Sequence, residues 1–98
     1  MAFLIETFDK PGHADVRARE RDLHLEFLAR HKPLLLACGA KLNDDGSGAG
    51  GGIYIVDVET REEAERFIAQ DPFTLVDLFE SVRIVRWRKA YVDGTCYL

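Results

Sequence analysis

His24 has the type and position needed for proton-transfer chemistry. Phe27 and Leu28 follow it by three and four residues, so the three side chains share one face of a helix and the imidazole is expected to point inward. Imidazole has an unperturbed pKa of about 6.5, which suits general acid or base catalysis near neutral pH. The alternative is a structural histidine that is hydrogen-bonded within the core.

Asp71 is the second candidate for this chemistry. It follows Phe67 and Ile68 by four and three residues, so it is expected to leave a helix on the core-facing side. A carboxylate at a helix C-terminus opposes the helix dipole, which favours a functional explanation. Asp71 also precedes Pro72, a combination that favours a new helix with Asp as its N-cap. A cap uses one carboxylate oxygen, so the two roles are compatible.

The elements that must position these residues follow from the spacing of apolar residues. The pattern predicts strands at 2–8, 34–42, 53–58 and 82–87, helices at 14–31 and after Thr60, a short helical piece at 73–79, a glycine-rich hairpin loop at 43–52 and an extended tail at 89–98. Val16 and Leu23 continue the apolar stripe of the first helix, residues 34–42 are expected to be buried, and Thr60 with Glu63 forms a capping box.

This element order, βαββαβ, predicts an α+β fold of the ferredoxin-like type. The simplest layout is a four-stranded antiparallel sheet with two helices on one face. A chain of 98 residues fits one domain, and its short length leaves the other sheet face uncovered. We therefore expect a homodimer in which two such faces pack together.

Composition excludes several classes of partner. The net charge of −4 argues against nucleic-acid binding, and the basic residues 83, 86, 88 and 89 alternate with apolar residues as in an ordinary strand. No segment has the roughly 20 apolar residues of a membrane span, and no secretory leader is evident. Cys38 and Cys96 are expected to be reduced cysteines of a cytoplasmic protein.

Other sites find little support in the sequence. The glycines at 46–52 lack the Gly-Lys-Ser/Thr of a phosphate loop, and Tyr54 stands where a calcium loop from Asn43 would need a bidentate Glu. His24 and His31 lie two helical turns apart, about 10 Å, which is too far to share a metal. We expect neither a metal nor a cofactor. Phe73 and Trp87 are interpreted as packing residues.

Taken together, short motifs along the chain resemble those of the YciI-like (YCII-related) family. They are Arg21-Asp22-Leu23-His24-Leu25, Gly39 late in the second strand, the region of Ala64, Asp71-Pro72-Phe73 and a last strand that ends at Trp87. The resemblance runs from the first strand to about residue 89. It departs from the family at Ala40, where a proline is common.

The resemblance implies a dimeric α+β barrel with a catalytic His and Asp, which correspond to His24 and Asp71. Arg21 matches the family's arginine one turn before the histidine and is expected, with Gly39, to contact the substrate. The alternative for Arg21 is a solvated arginine on the helix surface. The implied function is an isomerase, lyase or hydrolase that uses this pair for acid/base chemistry on a small organic acid or lactone. The alternative is a homodimer that binds a metabolite or a protein partner without catalysis.

Overall fold

The computed structural model describes all 98 residues. Its elements are β1 (Ala2–Asp9), α1 (Ala14–Arg30), a 3₁₀ turn (Lys32–Leu34), β2 (Leu35–Leu42), β3 (Gly48–Val56), α2 (Arg61–Ala69), α3 (Pro72–Leu75), β4 (Phe79–Trp87), β5 (Tyr91–Val92) and β6 (Thr95–Cys96). No helix is long and apolar enough to cross a lipid bilayer.

Four strands form one antiparallel sheet in the order β2-β3-β1-β4, and the helices cover one of its faces. This arrangement confirms the predicted ferredoxin-like α+β class. The side chains of alternate residues on β1 and β3, such as Ile5 and Tyr54, point toward the helices. The core lies between that face and the helices, where Phe27, Phe67 and Phe73 pack against it.

The second helix forms as the sequence predicts. The Thr60 hydroxyl accepts a hydrogen bond from the backbone N–H of Glu63 at 3.2 Å, which satisfies one of the free amides at the start of α2. Ala64, Phe67 and Ile68 form its buried face. α2 therefore enters the core in the predicted orientation and ends just before Asp71.

The glycine-rich segment is strand rather than a long loop, which corrects the prediction. β3 begins at Gly48, and only a short turn, Asn43 to Ser47, separates it from β2. Gly51 has φ of 152°, and a Cβ there would collide with the carbonyl oxygen of Thr7. Gly51 thus permits the close approach of β1 and β3, a use that composition alone does not distinguish from loop flexibility.

β2 and part of α1 are more exposed than the sequence suggests. β2 is an edge strand, and Ala37, Cys38 and Gly39 are exposed, so the expected burial of this segment is wrong for the single chain. On α1, Phe27 is buried and Val16 packs against the core, but Leu23 is 54% exposed. The apolar stripe of α1 is therefore narrower than predicted.

The C-terminal residues also differ from the prediction of an extended tail. β5 and β6 pair antiparallel to form a small hairpin, with Tyr91 opposite Cys96. The backbone N–H of Tyr97 donates to the carbonyl of Ala90, and the Lys89 ammonium lies 4.5 Å from the centroid of the Tyr97 ring. These local contacts give the tail a defined shape.

Candidate active site

His24 and Asp71, which lie 47 residues apart in sequence, are in direct contact. The Nδ1 atom of His24 is 2.9 Å from Oδ2 and 3.1 Å from Oδ1 of Asp71. A carboxylate only accepts hydrogen bonds, so Nδ1 carries a proton, and in the neutral form of the imidazole the lone pair lies on Nε2. The His24 side chain is 12% exposed and Asp71 is fully buried. The imidazole is thus held by a carboxylate that water does not reach.

Asp71 holds its position because it also caps a helix. Its Oδ1 accepts a hydrogen bond of 2.9 Å from the backbone N–H of Phe73, and Pro72 occupies the first position of α3. The cap fixes the carboxylate at the junction of α2 and α3, facing α1. The two alternatives weighed from the sequence, cap and partner of His24, are therefore both present in one side chain.

Tyr54 is a third member of this cluster that the sequence analysis missed. Its hydroxyl donates a hydrogen bond of 2.8 Å to Oδ2 of Asp71. Burial, followed by the negative charge of Asp71, raises the pKa of Tyr54 well above its ordinary value, so the phenol keeps its proton. The available signal was the alternation of β3, which points position 54 toward the core and leaves a phenol there needing a partner.

Phe73 fixes the plane of the imidazole. Its ring stacks on that of His24 with centroids 4.2 Å apart and planes 17° apart. The Arg17 guanidinium lies 4.6 Å from the centroid of the same ring and forms two hydrogen bonds, of 2.6 and 3.0 Å, to Asp9. Arg17 and His24 are seven residues apart on α1, which is about 10 Å along the helix axis. Phe73 therefore lies between Arg17 and His24, and the Arg17 charge is already paired.

A cavity of about 340 Å³ opens beside His24, between α1 and the edge of the sheet. Its lining residues come from α1, β2, β3 and α3: Arg17, Arg21, His24, Leu25, Leu28, Cys38, Gly39, Ala40, Gly52, Tyr54 and Phe73. The volume fits a molecule of small organic acid or single-ring size. Apolar walls with few polar groups are typical of a site for such a molecule.

Arg21 and Gly39, the two predicted contact residues, both line this cavity. Arg21 is exposed and forms no ion pair or side-chain hydrogen bond, so its charge is free. Gly39 pairs with Ile53, and a Cβ at Gly39 would meet nothing within 4 Å. The cavity wall at this point is therefore backbone, and a side chain added at position 39 would project into open space.

Cys38 adds a neutral thiol to the same cavity. Although the residue is exposed at the edge strand, partial desolvation and then the charge of Asp71 raise the pKa of its thiol to about 11. A thiol with so high a pKa stays protonated near neutral pH and is a poor nucleophile. His24 is thus the group of this cavity that is best suited to accept a proton.

Comparison with known families identifies the domain family of most of the chain. A family model described as the YCII-related domain matches residues 1–88. The search of curated proteins gives no match. Residues 89–98, which form the C-terminal hairpin, lie outside the matched range.

Among solved structures, one similar chain is a 5-chloro-2-hydroxyhydroquinone dehydrochlorinase (TftG) from Burkholderia phenoliruptrix AC1100, in complex with 2,5-dihydroxybenzoquinone. It is 32% identical, with a TM-score of 0.81, and the match covers 90% of this chain and 94% of that one. An antibiotic biosynthesis monooxygenase (21% identity, TM-score 0.52, 91% and 100% covered) and a protein from Agrobacterium tumefaciens (16%, 0.54, 97% and 100%) share the fold.

Proposed function

Because the chain belongs to the YCII-related domain family, we propose that it is a small-molecule enzyme in which His24 is the general base and acid. Asp71 orients the imidazole, and Arg21 binds the negative group of the substrate. The reaction is an elimination or an isomerisation of a small organic acid, lactone or hydroxylated ring. The similarity to a dehydrochlorinase at 32% identity supports an elimination.

The contact between His24 Nδ1 and Asp71 is the observation on which the proposal rests. Nε2 accepts a proton from an acidic C–H or O–H of the substrate, and Asp71 stabilises the imidazolium that forms. The electron pair left on the substrate either expels a leaving group as an anion or shifts a double bond. In an isomerisation His24 returns the proton to another substrate atom; in an elimination the proton passes to water.

The spacing of Arg21 and His24 supports a substrate with a particular separation between its negative group and its acidic proton. Arg21 and His24 are three residues apart, so they occupy adjacent turns on one side of α1, about 4.5 Å apart along the axis. A suitable substrate therefore carries a carboxylate or phenolate about 4.5 Å from the proton that is removed. Leu25 and Leu28 supply an apolar surface for the carbon skeleton between these groups.

The test combines two variants, His24→Gln and Asp71→Asn. His24→Gln removes the base and is expected to lower kcat by about 10²–10⁴. Asn remains a good N-cap, so Asp71→Asn is expected to keep the melting temperature while its amide favours the wrong imidazole tautomer; an Asp-to-Asn change of this kind costs about 10⁴ in kcat elsewhere. Turnover is measured with chlorinated hydroxyhydroquinones and small unsaturated lactones.

His31→Gln is the matched control for this experiment. His31 lies one residue after α1, and its Nδ1–H donates to the carbonyl of Phe27 at 2.9 Å, outside the cavity. We expect His31→Gln to keep wild-type kcat. Equal loss in the His24 and His31 variants would contradict the proposal, and binding of the compounds without turnover would favour the non-catalytic alternative.

We further propose that the protein is a homodimer formed through the uncovered sheet face. A row of apolar side chains, Ile55, Leu4 and Val85, crosses three adjacent strands on the face opposite the helices, and Ile53 lies on the same face of β3. Ile53 and Val85 are each 38% exposed in the single chain. A second copy packed on this face would remove these side chains from water, as the hydrophobic effect favours.

A further inference from the structure

The hydroxyl of Tyr54 takes no part in the proton transfer described above, yet it contacts the residue that supports it. We propose that Tyr54 is a positioning residue, which holds Asp71 as a pure hydrogen-bond acceptor and thereby fixes the Nδ1–H tautomer of His24. This inference rests on the proposed function, since it concerns the same base. It adds a residue from β3 to a pair contributed by α1 and the α2–α3 junction.

Three donors from three elements surround the carboxylate of Asp71. Phe73 N–H reaches Oδ1 at 2.9 Å, while Tyr54 O–H and His24 Nδ1–H converge on Oδ2 at 2.8 and 2.9 Å. Asp71 is fully buried, so these bonds replace the hydration of its charge. Removing one donor leaves a buried carboxylate undersatisfied and free to turn.

The protonation of Asp71 decides which nitrogen of His24 is the base. An ionised carboxylate accepts from Nδ1–H and leaves the lone pair on Nε2, toward the cavity. A protonated carboxyl group would instead donate to Nδ1 and place the imidazole proton on Nε2, where it blocks proton abstraction. The donors around Asp71, the Tyr54 hydroxyl among them, suit a carboxylate that only accepts hydrogen bonds.

Packing alone does not explain a hydroxyl at this position. The Tyr54 ring is 2% exposed and lies edge-on to Phe67, with centroids 6.0 Å apart, a contact that a phenylalanine would reproduce. A buried phenol hydroxyl costs free energy unless it is hydrogen-bonded, and Asp71 is its partner. The Tyr54 hydroxyl is therefore explained by its hydrogen bond to Asp71, because the packing of the core requires only the ring.

The experiment is nitrogen-15 NMR of the histidine rings in the full chain, wild type and Tyr54→Phe. We expect wild-type His24 to show a single Nδ1–H tautomer and Tyr54→Phe to show a mixture of both tautomers, with faster exchange of the Nδ1 proton. His24→Gln assigns the signals. Where turnover is measured, Tyr54→Phe is expected to lower kcat about tenfold, the effect of one lost hydrogen bond to a charged group, with KM little changed.

Two controls make the result decisive. His31 has the same tautomer through a backbone carbonyl, so its signals should be identical in both proteins. Thr74→Val deletes another hydroxyl, which donates to the carbonyl of Ile68, and should leave His24 unchanged. An unaltered His24 tautomer in Tyr54→Phe would overturn this inference and leave the proposed function standing. A changed His24 tautomer in Tyr54→Phe, together with a wild-type protein that turns over no substrate, would support this inference and contradict the proposed function.

Discussion

Asp71 combines a structural and a candidate catalytic role in one carboxylate. One oxygen caps α3 and the other faces His24 and Tyr54, so the start of a four-residue helix and the support of the base depend on the same side chain. These hydrogen bonds satisfy a polar group that is fully buried in the core of a small protein. The coupling of the two roles also means that a substitution of Asp71 has to preserve the cap before its effect on chemistry can be measured.

At the scale of single residues, Cys38 provides a test of the electrostatics of the cavity. Its raised pKa of about 11 lowers the thiolate fraction at any pH below that value. Alkylation by iodoacetamide, which requires thiolate, is therefore expected to be slow at neutral pH and to rise about tenfold for each pH unit until it levels off near pH 11. Peptide mass spectrometry after timed alkylation measures the rate.

Cys96 serves as the comparison within the same molecule, because it is exposed on the C-terminal hairpin. Cys38→Ser identifies the slow site, and Asp71→Asn should accelerate it by removing a negative charge. A Cys38 that reacts as fast as Cys96 at neutral pH would show that desolvation and Asp71 do not act on this thiol as described.

The sequence led to some residues of the site and not to others for physical reasons. His24 and Asp71 carry local signals, a helical stripe and an Asp-Pro cap, but their pairing was implied only by the family resemblance. Tyr54 became recognisable only when the register of β3 placed its hydroxyl beside Asp71. Hydrogen bonds between distant segments leave no periodic trace in a sequence.

At the scale of elements, the glycine-rich start of β3 leads to a prediction about stability. Gly51→Ala would place a Cβ against the Thr7 carbonyl and force a residue with φ of 152° into a conformation that only glycine favours. Strain and overpacking each cost about 1–3 kcal/mol, so we expect a loss of about 2–6 kcal/mol in the free energy of unfolding. Urea denaturation measures this loss.

Gly48→Ala is the matched control for that substitution. Gly48 begins the same strand, and a Cβ there would meet nothing within 4 Å. Its stability should change by less than about 0.5 kcal/mol. Equal stability of the two variants would mean that β1 and β3 do not approach as closely as the structure shows.

Elements with a strong local pattern were predicted well, and those defined by neighbours were not. α2 has a cap and a clear apolar face, and its prediction was correct. β2 was interpreted as buried because it is apolar, but a run of apolar residues cannot reveal that a strand lies at an edge. The glycines at the start of β3 were interpreted as a loop because the need for Gly51 depends on Thr7, more than 40 residues earlier in the chain.

At the scale of the whole molecule, the uncovered sheet face leads to a prediction about association. Ile53→Lys places a charge on this apolar face and is expected to convert the proposed dimer into a monomer with an intact fold. Analytical ultracentrifugation over a range of concentrations gives the mass, and circular dichroism checks the fold. A charge buried without a partner is costly, which is the reason for the expected effect.

Leu23→Lys is the control for that experiment, since Leu23 is exposed on α1, on the helical side of the sheet. It should remain dimeric. A wild-type protein that sediments as a monomer at all concentrations would contradict the dimer, and dissociation by Leu23→Lys instead of Ile53→Lys would place the interface on the helices.

The complete burial of Asp71, in contrast to the exposure of Arg21, has a consequence for the response to ionic strength. Dissolved ions screen exposed charges, with a Debye length of about 8 Å at physiological salt, but they reach buried pairs far less. Added salt would thus weaken the capture of an anionic molecule by Arg21 and leave the contact between His24 and Asp71 almost untouched. Attraction and chemistry in this protein would then respond separately to the same change of medium.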